Sequence, residues 1–185
     1  MKRFILCISG VPGTGKTRAA EELGRITGCS VVSLNKLIKS GKIKSAWDRK
    51  RKTSVVSEKG LDRQVKKLLG EGNYIIEGGL AHFIRCDLCV ILRTDPEVLM
   101  KRLGKRGWPG WKIRENVMAE MLDEAVIDAG TRNKRIIEID TTRTGPKRAA
   151  VTIKMALNNY RLQRQYCPRI NWIKKYPELL IKLGA

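Results

Sequence analysis

The chain has 185 residues, 42% hydrophobic and 30% charged, enough for one compact core and no more than a small inserted lid or flap. No run approaches the roughly 18 uninterrupted apolar residues of a membrane helix. An apolar stretch begins at Arg3 with no cleavable small-residue site after it, so the sequence predicts a protein that stays inside the cell. Lys and Arg number 38 against 18 Asp and Glu, and the resulting net charge of +20 favours polyanionic partners, nucleic acid or ribonucleoprotein above all.

Five scattered cysteines, Cys7, Cys29, Cys86, Cys89 and Cys167, fit a reducing compartment. Cys86 and Cys89 form a lone C-x-x-C without a second ligand pair, so they read as two buried cysteines flanking a strand rather than a metal site.

The first strand is predicted over 3–9 and the first helix over 16–27, with Gly28 placed to stop it. Between strand and helix, Gly10-Val11-Pro12-Gly13-Thr14-Gly15-Lys16-Thr17 matches G-x-x-x-x-G-K-[ST] in full. Glycines here let backbone amides curl around phosphates, and the helix N-terminus adds partial positive charge. Gly13, Thr14, Gly15, Lys16, Thr17 and Arg18 are therefore the candidate ATP-binding residues, with the Thr17 hydroxyl as a Mg²⁺ ligand.

A second strand is predicted over 30–33. Residues 35–56 then carry eight Lys or Arg against one acid, Asp48, and little to build a core, which suggests a mobile flap over a substrate, with Asn35 as a contact to substrate or water. A helix over 57–70 leads to a strand over 73–77 that ends in Glu77, followed by Gly78 and Gly79. Glu77 is the candidate carboxylate that holds Mg²⁺ through water, and His82 is a candidate to orient water or substrate.

A strand over 88–93 and a helix over 95–105 follow, the helix opened by Asp95 as cap and Pro96 at its first position. Arg102 and Arg106 stand one turn apart, so both guanidiniums can face the same phosphates at the edge of a short loop over 104–111, the start of a lid spanning 104–114. Helices are predicted over 112–129, stopped at Gly130, and over 146–163, on either side of a strand over 135–140. The basic extension 161–185 suggests one more helix docked on the body. The alternation of strands and helices predicts an α/β, three-layer fold around a parallel sheet.

Four stretches, GVPGTGKT at 10–17, IIEGGLAH at 75–82, VILRTDPEVLMKRLGKRGW at 90–108 and KIRENV at 112–117, resemble the adenylate kinase isoenzyme six family, the adenylate-kinase-like ribosome assembly factors of archaea and eukaryotes. The resemblance covers residues 3 to about 130. It implies a P-loop nucleoside-monophosphate-kinase fold with a five-stranded parallel sheet, ATP:AMP phosphotransfer, ATP hydrolysis and a role in small-subunit ribosome maturation. The partners it implies are AMP or another monophosphate, a small-subunit ribosomal protein of the S-eleven class, and rRNA. Glu77 falls on the family's Walker B acid, Arg102 and Arg106 on its lid arginines, and Arg93 on the arginine of its L-R-T-D turn. The chain departs from the family at Gly79, where a histidine is common, at Val55-Val56-Ser57, which lacks an aspartate, and at Lys36, where an acid is common. A metabolic kinase without a ribosomal role and a nucleotide-gated binding module with little catalysis are the alternative readings.

Overall fold

The computed structural model describes residues 3–48 and 53–184. In chain order its elements are β1 (Ile5–Ser9), α1 (Lys16–Thr27), β2 (Ser30–Ser33), α2 (Leu34–Lys39), β3 (Ala46–Asp48), β4 (Thr53–Val55), α3 (Leu61–Leu68), β5 (Tyr74–Glu77) and β6 (Leu88–Arg93). They continue with α4 (Pro96–Gly104), α5 (Gly110–Met121), α6 (Glu124–Arg132), β7 (Ile136–Asp140), α7 (Pro146–Leu157), α8 (Tyr160–Gln165), α9 (Trp172–Lys175) and α10 (Pro177–Gly184). A 3-10 turn spans Ala81–Phe83.

The main sheet is five-stranded and parallel, in the order β2-β5-β1-β6-β7. Strands buried on both faces read as continuous apolar runs, and their alternate side chains feed two separate cores. Leu6 and Ile8 of β1 join Val90, Ile137 and the α1 and α7 residues Leu23 and Ile153 on one face. Ile5 and Cys7 join Ile76, Ile91, Leu61 and Ala129 on the other. A third cluster, Val11, Leu99, Leu103, Val117, Met121 and Trp172, sits over the phosphate-loop end.

Several predicted elements are corrected. The helix expected over 112–129 is two, because Asp123 adopts a left-handed conformation (φ 57°) and turns its carboxylate onto Arg93. Helix α6 runs through Gly130 and ends at Asn133, whose side chain accepts from the Cys86 amide and donates to the His82 carbonyl. The helix expected over 146–163 breaks at Asn158-Asn159, where the Asn159 side chain accepts from the Leu162 amide and starts α8.

The segment 35–56 contains more core than its composition suggested. Ile43 and Val56 are buried in the second core beside Leu34, the residue just before the segment, and β3 pairs antiparallel with β4 as a hairpin outside the main sheet. Four of its cations, Arg49, Lys50, Arg51 and Lys52, lie outside the described residues. The lid expected over 104–114 is a loop over 105–109 between α4 and α5, its later residues being the first turn of α5. The C-terminal extension begins within α8 and forms two further short helices, α9 and α10, instead of one, with Trp172 buried between α5 and the phosphate loop. Among the described residues no helix is long and apolar enough to cross a membrane.

Candidate functional site

The C-terminal ends of β1, β5 and β6 converge on the turn between Ser9 and Lys16. Gly10 and Gly13 have positive φ (132° and 98°) and no space: a Cβ would come 2.4 Å from the Leu92 carbonyl oxygen at Gly10 and 2.7 Å from Leu99 at Gly13. Gly15 (φ 92°) instead faces open space, where a Cβ would meet no atom within 4 Å. One glycine wedged against the sheet, one against α4 and one opening outward leave a backbone cradle, the shape that accepts a phosphate chain.

The loop is fastened from behind. Thr14 is buried and its hydroxyl donates to the Val11 carbonyl (2.9 Å). The Thr141 hydroxyl sits between the carbonyls of Thr14 (2.9 Å) and Arg93 (2.8 Å). Arg102 donates to the carbonyls of Gly13 (3.2 Å), Thr141 (2.7 Å) and Thr142 (3.1 Å). It therefore ties the phosphate loop to the end of β7, and burial holds its pKa below the usual value.

Lys16 is buried and donates to the Val11 carbonyl (2.9 Å). Burial lowers its pKa to about 8, opposed by Glu77 and assisted by the nearby Arg106 charge. Arg106 itself is exposed in the turn after α4. Thr17 donates to Glu77 Oε2 at 3.0 Å, and the carboxylate is 2% exposed. Two hard oxygens side by side at the mouth of the cradle suit a small divalent cation. Arg18 is exposed on α1 and lines a hollow of about 530 Å³ with Gly145 and Lys147, apart from Lys16 and Glu77.

Strand register places Ser33 beside Glu77, so α2, with Asn35 exposed on its first turn, leaves the sheet next to the carboxylate. His82 is 4% exposed, and Nδ1 shares a 2.7 Å hydrogen bond with the Ser9 hydroxyl. That hydroxyl also lies 3.1 Å from the carbonyls of Gly78 and Gly79. His82 Nε2 has no hydrogen-bond partner and lies 3.8 Å from Asp128 Oδ2. Burial first, and then the Lys16 charge, lowers the imidazole pKa to about 4, so the ring is neutral at pH 7.

Arg93 lies elsewhere. Its guanidinium is 1% exposed and bonded to Glu120, Glu138 and Asp123, leaving no face for a substrate or water. The contact expected of it is replaced by a structural role: a buried cation surrounded by three carboxylates. Sequence reasoning also missed Ser9 and Thr141. Each is an ordinary strand-end hydroxyl residue whose role depends on neighbours far along the chain.

A family profile described as AAA domain matches residues 6–123. A protein named "Putative adenylate kinase" from Pyrococcus furiosus is 32% identical over 184 residues, covering 98% of this chain and 99% of its own. One of the same name from Methanothermobacter thermautotrophicus is 35% identical over 166 residues, covering 89% and 93%. Among solved structures, shikimate kinase from Aquifex aeolicus superposes with a TM-score of 0.55 at 14% identity, covering 86% of this chain and 99% of its own. The YorR protein of Bacillus subtilis, in complex with phosphorylated GDP, also gives 0.55, at 17% identity, covering 89% and 99%. At such identities these two show the fold, that of P-loop kinases. The matched profile and the full-length relatives together show that this chain belongs to the AAA-domain P-loop proteins and, within them, to the adenylate-kinase-like family.

Proposed function

We propose that the protein is a phosphotransferase that moves the γ-phosphoryl group of ATP to a nucleoside monophosphate, AMP by preference, giving two nucleoside diphosphates. The observation that carries this reading is the contact of Thr17 with buried Glu77, next to Lys16 at a glycine cradle. The amides of residues 13–17 would bind the β- and γ-phosphates, and Lys16 would leave the Val11 carbonyl to neutralise them. Thr17, and Glu77 through water, would hold a Mg²⁺ ion, which would neutralise phosphate charge when bound. An acceptor phosphate oxygen attacks the γ-phosphorus in line, the bond to the β-bridging oxygen breaks, and ADP leaves. Arg106, exposed yet close enough to affect Lys16, would balance the negative charge of that transfer. Arg102 positions the loop. The names of the full-length relatives support the adenylate kinase assignment.

A second reading is favoured by the net charge of +20, which phosphotransfer between small nucleotides does not require. On it, the same site hydrolyses ATP while the protein engages a small-subunit ribosomal protein of the S-eleven class or rRNA during subunit maturation. Measuring ADP formation from Mg-ATP with AMP, without AMP, and with either partner tests both, with Lys16→Ala as blank. Rapid AMP-dependent ADP formation supports the kinase. Slow AMP-independent hydrolysis that a partner accelerates supports the assembly ATPase, and ADP formation equal to the blank under all conditions refutes both.

A further inference from the structure

Ser9, the last residue of β1, stands where three segments meet. Gly10, the first glycine of the phosphate loop, follows it in the chain. Its hydroxyl lies 3.1 Å from the carbonyls of Gly78 and Gly79, the pair directly after Glu77, and 2.7 Å from His82 Nδ1. A serine beside a histidine has the outline of an activated nucleophile, but Ser9 is 0% exposed and His82 4%, so no reacting atom reaches either. The same burial denies His82 the contact with water or substrate that its place in the sequence suggested.

One proton from Ser9 and one from the neutral imidazole serve this junction, and the glycine carbonyls can only accept. A proton on Nε2 would be wasted. That nitrogen is buried, has no hydrogen-bond partner among the described residues, and stands 3.8 Å from Asp128 Oδ2, beyond hydrogen-bond range. Nδ1 would then take the Ser9 proton, and the glycine carbonyls would lose it. A proton on Nδ1 is instead donated to Ser9 Oγ, which frees the Ser9 proton for the carbonyls. Only this tautomer uses both protons, and a buried junction favours the arrangement in which its hydrogen bonds are made. The Asn133 side chain, donating to the His82 carbonyl (2.8 Å), holds the backbone from which the ring projects.

What the junction restrains is the end of β5. A pair of glycines has little conformational restraint of its own, and a Cβ at Gly79 would meet no atom within 4 Å. The Gly78 amide donates to the Ile8 carbonyl (3.2 Å) and its own carbonyl also accepts from the Ala81 amide (3.2 Å), while Ser9 adds the link to Gly79. Glu77, one residue earlier, keeps its carboxylate 3.0 Å from the Thr17 hydroxyl. We propose that Ser9 and His82 are positioning residues for phosphoryl transfer: His82 Nδ1–H donates to Ser9, Ser9 donates to Gly78 and Gly79, and this clasp fixes Glu77 against the phosphate loop. The role in transfer rests on the kinase reading above; the tautomer rests on the geometry of the junction.

His82 is the one histidine of the chain, so nitrogen-15 NMR of its ring needs no assignment. At pH 7 the spectrum should show Nδ1 protonated and Nε2 bare; the opposite tautomer overturns the proposal. Ser9→Ala should lower kcat for ADP formation about 10- to 100-fold, the range for a misplaced catalytic group, while KM for ATP changes less than about 3-fold. In a Glu77→Gln background the same substitution should cost less than about 3-fold, because the group it positions is already gone. An Asn side chain places its N–H where imidazole Nδ1 stands, and a Gln side chain where Nε2 stands. His82→Asn should therefore keep at least about ten times the kcat of His82→Gln, although both remove the ring. Assays run below the melting midpoint of every variant separate these effects from unfolding, and if Ser9→Ala does not fold, the two His82 variants carry the kinetic comparison. Equal losses from Ser9→Ala with and without the Glu77 carboxylate, equal rates for the two His82 variants, or a change in KM alone overturns the proposal. A parent that forms no more ADP than Lys16→Ala overturns the kinase reading and the role in transfer with it, whereas an active parent with unaffected variants overturns this proposal alone.

Discussion

The hydroxyl of Thr17 and the carboxylate of Glu77, 60 residues apart in sequence, meet at 3.0 Å at the mouth of the phosphate cradle. The first comes from the opening turn of α1 and the second from the last residue of β5, brought together because β5 lies next to β1 in the sheet. Glu77→Gln keeps the shape and removes the charge. ADP formation with saturating Mg-ATP should fall about 100-fold or more, with ATP affinity changed only a few-fold, in line with the loss of one electrostatic group from a phosphoryl-transfer site. Steady-state kinetics alongside equilibrium binding of a non-hydrolysable ATP analogue would check it.

Burial lowers the pKa of Lys16 to about 8. In the unfolded chain the ammonium stays protonated to about pH 10.4. Between these values the unfolded state binds more protons, so this group's contribution to stability rises with pH from about 8 to 10.4. Lys16→Met should therefore raise the melting temperature of the ligand-free protein near pH 8 while abolishing ADP formation. Phosphate binding favours the charged form, so calorimetry of ATP-analogue binding at pH 8 in buffers of different ionisation enthalpy should show proton uptake of about half a proton per site. Proton release, or none, would contradict the burial argument.

His82 carries the same sign at lower pH. Its imidazole titrates at about 4 when folded, because burial and Lys16 disfavour the cation, against about 6.5 when unfolded. Acidification through this window protonates the unfolded chain first, so stability falls as pH drops from 6.5 toward 4. His82→Gln should shallow that fall, and the difference in stability between the two proteins should become independent of pH above about 7. Urea titrations at several pH values give the comparison directly.

Arg93 and Trp172 meet the same buried carboxylate. Glu120 accepts from Arg93 Nε (2.8 Å), the Thr94 amide (3.0 Å) and Trp172 Nε1 (3.0 Å). Trp172→Phe removes only the indole donor and leaves Glu120 one partner short, at a cost of about 1–3 kcal/mol. In a chain of this size the melting temperature should drop by about 2–10 °C. Arg93→Met leaves Glu120 and Glu138 without their cation, and its cost should reach about 3–5 kcal/mol. If Arg93 instead contacted substrate, Arg93→Met would lower ADP formation without lowering the melting temperature.

The C-terminal extension is bound by the same logic. Asp95 caps α4 and also accepts from Lys175 Nζ and Tyr176 Oη, each at 2.6 Å. Burial of Asp95 alone would raise its pKa, but these hydrogen bonds prevail and hold it below the usual carboxylate value. Trp172 packs in one cluster with Val11, whose carbonyl holds Lys16. Deleting residues 169–185 should therefore weaken ATP-analogue affinity as well as stability, because the covering of the phosphate loop goes with it.

Local signals carried the sheet and the phosphate loop. The apolar runs ending at Ser9, Ser33, Glu77, Arg93 and Asp140 are the five parallel strands, and the Asp95-Pro96 cap and Gly28 stop are where backbone rules put them. These features depend on residues within a few positions of one another, and so they are written in the chain itself. The sequence also determined the net charge and the family, since both follow from residue identity alone. Tertiary structure decided what each polar residue does. Arg93 ends β6, where sequence alone suggests a substrate contact, yet three carboxylates from α5, β7 and the turn before α6 enclose it. Ile43 looked like part of a solvated flap until the second core formed around it. A buried charge or an isolated apolar residue takes its role from partners tens of positions away, and only packing brings those partners within reach.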